Sequence, residues 1–277
     1  MSQAAPSFDI STAAYVQEGA RDEILRFHKH CEKYLSRVRR NASLEAEFMD
    51  DAMVETLRKV RISAALRLPA GLRTALVSGG VLATMVEDVQ QERKRAILTS
   101  RGLKLFERGC KTEAALGLSG WQDRFCSIFD EEAFEFLEKL DDLKTFWSKG
   151  AGVPINTQMS CRLVQELLEW VDAAFLGQSG TNEAMLNFAH AETLIPFAAA
   201  LGIAPEDAHA WRTASLSPMA ANIFLFPSLR DGGMTEWIDI YLNEELVRSD
   251  RWNVVKENME SRLPPLPCSL RAVCAPS

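Results

Sequence analysis

Positive charge is scarce in this sequence: 31 Lys and Arg stand against 38 Asp and Glu among 277 residues, a net charge of −7. A protein that neutralises phosphates along a nucleic acid needs a Lys/Arg excess on one face, so that class of partner is excluded. A small anionic ligand is not, since it needs only a local positive pocket. Long apolar runs are missing as well. The longest uncharged stretch, Thr213 to Leu229, has 17 residues, is broken by Pro218 and Pro227, and carries Ser215, Ser217 and Asn222. It is too short and too polar to span a bilayer. Glycine and proline are sparse, at 15 and 11, and the chain is 47% hydrophobic and 25% charged. Those proportions exclude collagenous, coiled-coil and disordered classes and fit a globular chain of one large domain or two closely joined ones.

The start of the chain also lacks something: Met1 to Ile10 has no basic segment and no apolar core of the kind that marks a secretory signal. With Met1 as the true start, the product is cytoplasmic. Six cysteines argue the other way, at positions 31, 110, 126, 161, 268 and 274. Cys110 and Cys126 bracket a Gly-rich bend and Cys268 and Cys274 a short tail, which is compatible with local disulfides; buried free thiols of a cytosolic protein fit the count equally well. Asn41-Ala42-Ser43 is a glycosylation sequon, and one such match arises by chance in a chain of this size.

Periodicity predicts helices first and strands later. Ile24, Leu25, Phe27, Cys31, Tyr34, Leu35 and Val38 recur at spacings of three and four over Asp22 to Val38. Glu45 to Leu57 and Leu103 to Leu116 read the same way, while residues 70 to 100 show no clear period. Asp130-Glu131-Glu132 puts acids at the positive end of a helix whose apolar face is Phe134, Leu137, Leu140, Leu143, Phe146 and Trp147, ending at Gly150. Another helix is expected over about Met159 to Leu176. After the loop Gly177 to Asn182 come three runs of strand character, Ala184 to Ala189, Ala220 to Phe226 and Trp237 to Leu242, with a helix over Glu192 to Leu201 between the first two. Strand, helix, strand is an α/β pattern. The expected division is a mainly helical subdomain over 20–180 and the α/β part over 181–277.

One constellation carries chemistry. Asn187-Phe188-Ala189-His190-Ala191-Glu192-Thr193-Leu194-Ile195-Pro196-Phe197 sets a histidine and a glutamate two apart where the first strand gives way to a helix. Open α/β sheets bind ligands at such junctions. The helix N-terminus attracts an anion, an imidazole can donate to a phosphoryl oxygen, and a carboxyl can deliver a proton to a leaving oxygen. The plain alternative is helix capping by His190 with Glu192 as a first-turn acid.

The string His190-Ala191-Glu192-Thr193-Leu194, followed by an apolar Pro-containing helix and Leu201-Gly202, resembles the carboxyl-terminal signature of the histidine acid phosphatases, specifically their multiple inositol polyphosphate phosphatase branch. Leu143-Lys144 through Trp147, Lys149, Gly150 and Gly152 resembles that branch's Leu-Lys, aromatic-Trp, Gly-x-Gly segment, and Trp121 to Asp130 the segment before it. Ser217-Pro218 through Asn222 and the tail from Leu242 to Cys268 resemble the branch's segments on the carboxyl-terminal side of the His-Ala-Glu signature. The resemblance runs over roughly residues 22 to 275.

It implies a histidine-phosphatase-like α/β sheet, incomplete here, with a helical subdomain, and a two-step phosphomonoester hydrolysis without a metal or other cofactor. In that family a histidine in Arg-His-Gly-x-Arg-x-Pro attacks phosphorus, arginines clamp the phosphoryl oxygens, and the His-Ala-Glu carboxyl protonates the leaving alcohol. Carried over, His190 is the phosphoryl-binding imidazole and Glu192 the proton donor. Lys144 and Lys149 are candidates for an electropositive rim around a small anionic phosphoester such as an inositol polyphosphate, or are simply helix-end lysines favoured by the dipole. Disulfides Cys110–Cys126 and Cys268–Cys274 resemble bridges of the family; Cys31 and Cys161 stay unassigned, and Asn41 is a candidate glycosylation site. Ala189 replaces the family's common Gly. The larger departure is that Arg-His-Gly-x-Arg-x-Pro does not occur: His28, His30 and His209 are not followed by Gly. The expectations are therefore a phosphatase represented by a carboxyl-terminal fragment, in the endoplasmic reticulum lumen or outside the cell, or a short pseudophosphatase or phosphate-binding module. A helical interaction protein with an accidental match is the outlying alternative.

Overall fold

The computed structural model describes residues 29, 31–39, 56, 109–110, 112–113, 116–117, 126–177, 184–265 and 268–275. The chain divides into two compact units. A sheet unit gathers Met1–Leu35, Lys149–Pro205 and Ala214–Ser277, and a helical unit gathers Ser36–Ser148 and Glu206–Thr213. The boundary expected near residue 180 thus falls inside the sheet unit. Of the amino-terminal helices expected, the described parts are Glu32–Tyr34, which is α-helical, Leu35–Arg39, which is wound more loosely as a π-helix, and short helical pieces at Thr56 and around Cys110. All of 22–28 and 70–100, most of 45–57 and 103–116, and the sequon at Asn41 lie outside the described residues.

In the helical unit, α1 runs over Glu131–Ser148. Asp130 starts it by accepting the Ala133 N–H on its carboxylate at 3.0 Å, with Glu131 and Glu132 at the positive end. Of the expected face Leu137, Leu140 and Phe146 are buried, while Phe134, Leu143 and Trp147 are half-buried and Ala133 and Phe136 are buried in addition, so the packed face is turned slightly from the one the apolar spacing predicts. Phe146 meets the fully buried Trp211 edge-on at 5.4 Å between ring centres. Asp142, also buried, accepts the Thr213 N–H at 2.7 Å, which ties 206–213 back to α1. A disulfide joins Cys110 to Cys126.

The sheet unit begins with α2, Pro154–Gln158, and α3, Cys161–Phe175. Then come α4 over Ala191–Ala200, the short α5 over Thr213–Leu216, and strands β1, Ile223–Arg230, β2, Thr235–Leu242, and β3, Glu245–Arg251. Helices α6, Trp252–Ser261, and α7, Leu270–Cys274, complete it. The strands form an antiparallel sheet in the order β1-β2-β3. Ile223 pairs with Leu242 and Arg230 with Thr235, while Leu242 opposite Glu245 leaves Asn243 and Glu244 as a two-residue turn. Both turn residues have positive φ, 51° and 71°, the requirement of a type I′ hairpin whose twist suits the flanking strands. The core lies between one sheet face and the helices: Ile238 and Ile240 pack with Val164, Leu167, Leu168 and Val171 of α3, Leu201, and Trp252, Val255 and Met259 of α6. Asp172 staples α3 to α6 by accepting from Trp252 Nε1 at 2.7 Å and pairing with Lys256.

Two expectations are corrected. Residues 184–189 do not form a strand. Leu186 and Phe188 are 66% and 84% exposed, and no strand among the described residues pairs with the segment, so its apolar run lacks the buried face and backbone partner a strand requires. Nor does Cys268 pair with Cys274. Cys268 bonds Cys161 at the start of α3, where the Gln165 side chain also accepts its N–H at 2.9 Å, and Cys274 bonds Cys31. Helix α7 follows Cys268, ends on Cys274 and packs against the Glu32–Tyr34 helix, which brings Cys274 to Cys31.

Candidate active site

The site is built at the start of α4. His190 is the residue before its first turn, extended at φ −99° and ψ 171°, with its carbonyl accepting from Thr193 N at 2.9 Å and Leu194 N at 3.1 Å. Its imidazole makes no capping bond to the helix and is exposed. The capping alternative therefore fails for the histidine side chain. The helix directs its positive end toward the same place. Pro196 sits four residues past Glu192 and has no N–H to donate to the Glu192 carbonyl, so the ladder is interrupted over the turn that carries the acid. Burial holds that helix in place from below: Ile195, Pro196, Ala198, Ala199 and Ala200 are buried, and α4 packs on α2 and α3. The fully buried Ser160, between those two helices, donates to the Thr157 carbonyl at 2.6 Å and reaches the Pro196 carbonyl at 3.5 Å.

Lys149 comes to Glu192 from 43 residues away, its Nζ 3.2 Å from Oε1, with the two side chains 28% and 40% exposed. Its backbone is pinned next door. The buried Gly150 carbonyl accepts from Nδ2 of the fully buried Asn156 at 3.0 Å. Lys144, the other expected rim lysine, is exposed on α1 in the helical unit. Of the expected residues, the structure thus brings Lys149, His190 and Glu192 to one helix end. The supports Asn156 and Ser160 were not foreseen, because a buried Asn or Ser in a short loop has no spacing signature. No group of three or more metal-ligating side chains exists among the described residues.

The arrangement joins two groups that can contact an anion, an imidazole and an ammonium, to a carboxyl that can carry a proton. That is the equipment for binding a phosphoryl group and protonating the oxygen that leaves it.

The profile of the histidine phosphatase superfamily, branch 2, matches residues 87–226. Multiple inositol polyphosphate phosphatase 1 of Homo sapiens is 29% identical over 205 residues, 71% of this chain and 36% of the human protein. The Gallus gallus protein of the same name is 31% identical over 190 residues, 65% of this chain and 36% of its own length. This chain therefore spans little more than a third of the curated relatives it matches. Among solved structures, the Bifidobacterium longum multiple inositol polyphosphate phosphatase in complex with inositol hexasulfate superposes with a TM-score of 0.53 at 19% identity, covering 78% of this chain and 52% of that one. A likeness at that identity concerns the fold.

Proposed function

The chain belongs to the histidine phosphatase superfamily, branch 2, and on that premise we propose that it serves the hydrolysis of inositol polyphosphates, with His190 binding the phosphoryl group and Glu192 protonating the leaving alcohol. The observation that carries the proposal is the meeting of His190, Glu192 and Lys149 at one helix start, with an imidazole that does not cap the helix and a carboxylate held from a distant segment. Attack at phosphorus breaks the P–O ester bond and leaves an alkoxide, a poor leaving group, so a positioned carboxyl contributes most on such substrates. The relatives' names and the inositol hexasulfate complex of the structural neighbour support the choice of a highly anionic inositol ester.

The nucleophilic half of the reaction has no counterpart in these 277 residues, since Arg-His-Gly-x-Arg-x-Pro does not occur. This favours a second reading for the 277 residues by themselves: phosphoester binding without turnover. His190 does not replace the nucleophile, because a group beside the proton donor flanks the phosphoryl and is not placed for in-line attack opposite the leaving oxygen. Three disulfides support folding in an oxidising compartment, the secretory route.

The test is expression of residues 1–277 with disulfides intact, followed by assays of phosphate release and binding on inositol hexakisphosphate between about pH 4 and pH 7, where carboxyl and imidazole groups titrate. The expected result is saturable binding that His190→Ala weakens, with no turnover. Phosphate release that survives His190→Ala, or a phosphate trapped on His28, His30 or His209, overturns the assignment.

A further inference from the structure

We infer that Lys149 is an exchangeable counter-ion, held by Glu192 when the site is empty and handed to a phosphoryl oxygen when an anionic ester binds, so that Glu192 sets the affinity of the site as well as donating the proton. This rests on the function proposed above and deepens it.

Ligand binding at this site meets a conflict of charge. A phosphate or sulfate at His190 and the α4 N-terminus arrives within a few residues of the Glu192 carboxylate, and like charges repel. The ammonium that could offset this is already engaged: Lys149 Nζ lies 3.2 Å from Glu192 Oε1. A fully buried pair would keep that partner. This one is reachable from solvent, at 28% and 40% exposure, and belongs to the class of ion pairs whose coupling is weak. A ligand can therefore compete for the ammonium. The anchoring is suited to exchange. Gly150 is buried and its carbonyl is fixed by Asn156, so the lysine backbone stays still while its four-carbon stem swings. Lys149 is consequently a positioning residue in the empty site and a ligand contact in the filled one. Its exchange also frees the Glu192 oxygen from an ammonium at the stage when the carboxyl must carry a proton.

Calorimetric titration with inositol hexasulfate tests this on the whole chain, because its sulfates keep their charge and cannot be hydrolysed by phosphatase chemistry. It is run near pH 7.5, where the carboxylates and the lysine carry their ordinary charges. Four proteins are compared: wild type, Glu192→Gln, Lys149→Met and the double variant, with Lys149→Arg as the charge-preserving control and far-UV circular dichroism to verify folding. Glu192→Gln should bind roughly twofold to fivefold tighter and Lys149→Met weaker by a similar factor, the range of an exposed pair. The double variant should bind only slightly tighter than Lys149→Met, because relief of direct repulsion is a part of the Glu192→Gln gain and the rest depends on a released lysine, and Lys149→Arg should lose less affinity than Lys149→Met. If the gain from Glu192→Gln persists undiminished without Lys149, simple repulsion explains it and the exchange is wrong. Unchanged affinity in Lys149→Met overturns the exchange while leaving the proposed function standing. Absence of binding by every protein, wild type included, overturns that function and the exchange with it.

Discussion

Gly202→Ala should cost the sheet unit about 2–3 kcal/mol of stability, more than an exposed methyl group would suggest. Gly202 follows the last residues of α4 with φ +70°; its N–H donates to the Ala199 carbonyl and the Ile203 N–H to the Ala198 carbonyl, both at 3.1 Å. This is a Schellman ending, and it satisfies two carbonyls the helix would otherwise leave open. An L side chain in that backbone conformation costs about 1–2 kcal/mol. A Cβ would also stand 2.7 Å from Asn258 Oδ1 and 3.2 Å from Arg262 Nε. Asn258 Oδ1 accepts from Arg248 Nη1 at 3.4 Å and Arg262 Nε at 3.2 Å, so moving it aside forfeits about 1 kcal/mol of hydrogen bonding. Urea denaturation of wild type, Gly202→Ala, Asn258→Ala and the double variant separates the two contributions. In the Asn258→Ala background the steric part disappears, and the loss should fall to the backbone cost of about 1–2 kcal/mol. A Gly202→Ala loss below about 0.5 kcal/mol, or the same loss in both backgrounds, refutes the reasoning.

Asp172→Ala should lower stability by about 1–3 kcal/mol, because it strands the indole N–H of the buried Trp252 and releases Lys256; Asp172→Asn, which keeps one acceptor, should lose less in the same urea titration. Glu244→Gly should raise the unfolding midpoint by about 0.5–1 kcal/mol equivalent, since φ 71° in the β2–β3 turn suits glycine. Peptide mapping without reduction should recover Cys31 with Cys274, Cys110 with Cys126 and Cys161 with Cys268, and a Cys268–Cys274 peptide would contradict the structure. In any form that also carries the family's nucleophile, Glu192→Gln should slow hydrolysis of inositol phosphates by about 10²- to 10⁴-fold and of an activated aryl phosphate far less; equal losses remove Glu192 as the acid.

The helices were legible where one face is buried and the start is marked. Asp130 with two acids announced α1, and the expected Met159–Leu176 became Cys161–Phe175, because in both the apolar period matches the face that packs. Strands were legible only as far as they are apolar. β2 was expected over Trp237–Leu242 and begins two residues earlier; β1 was expected over Ala220–Phe226 and runs over Ile223–Arg230, because pairing with β2 and not hydropathy sets its end. β3, Glu245-Leu-Val-Arg-Ser-Asp-Arg251, went unseen. It is a charged edge strand whose formation rests on the Asn243-Glu244 turn and on its ladder to β2. Conversely, 184–189 is an apolar run and no strand, since a run without a partner ladder does not make one. Of the two expected disulfides Cys110–Cys126 forms, and Cys268–Cys274 does not: closeness in sequence measures the loop to be closed, whereas pairing is decided by which elements pack, and Cys274, on α7, meets Cys31 while Cys268 meets Cys161.

The candidate site was legible to a different extent, and for a chemical reason. His190 and Glu192 are two apart on one local element, so their joint exposure at a helix start follows from the strand-to-helix reading without tertiary knowledge, and it survives even though the preceding strand does not form. Local sequence could not supply the state of the carboxylate. Lys149 and Lys144 are five residues apart and indistinguishable by composition, yet Lys144 belongs to the helical unit and Lys149 to the sheet unit, where Gly150 and Asn156 pin the chain and the ammonium lies beside Glu192. The lysine that matters is thus selected by a buried amide six residues along from Gly150, a residue with no chemistry of its own to display. If that selection is correct, Asn156→Ala should reproduce the binding defect of Lys149→Met through the Gly150 carbonyl that Asn156 holds. Asn156 is also fully buried, so the comparison must be made on protein whose far-UV circular dichroism matches wild type. Wild-type affinity for inositol hexasulfate in such a variant would mean that Lys149 finds Glu192 unaided, and the pinned Gly150 would lose its role in the site.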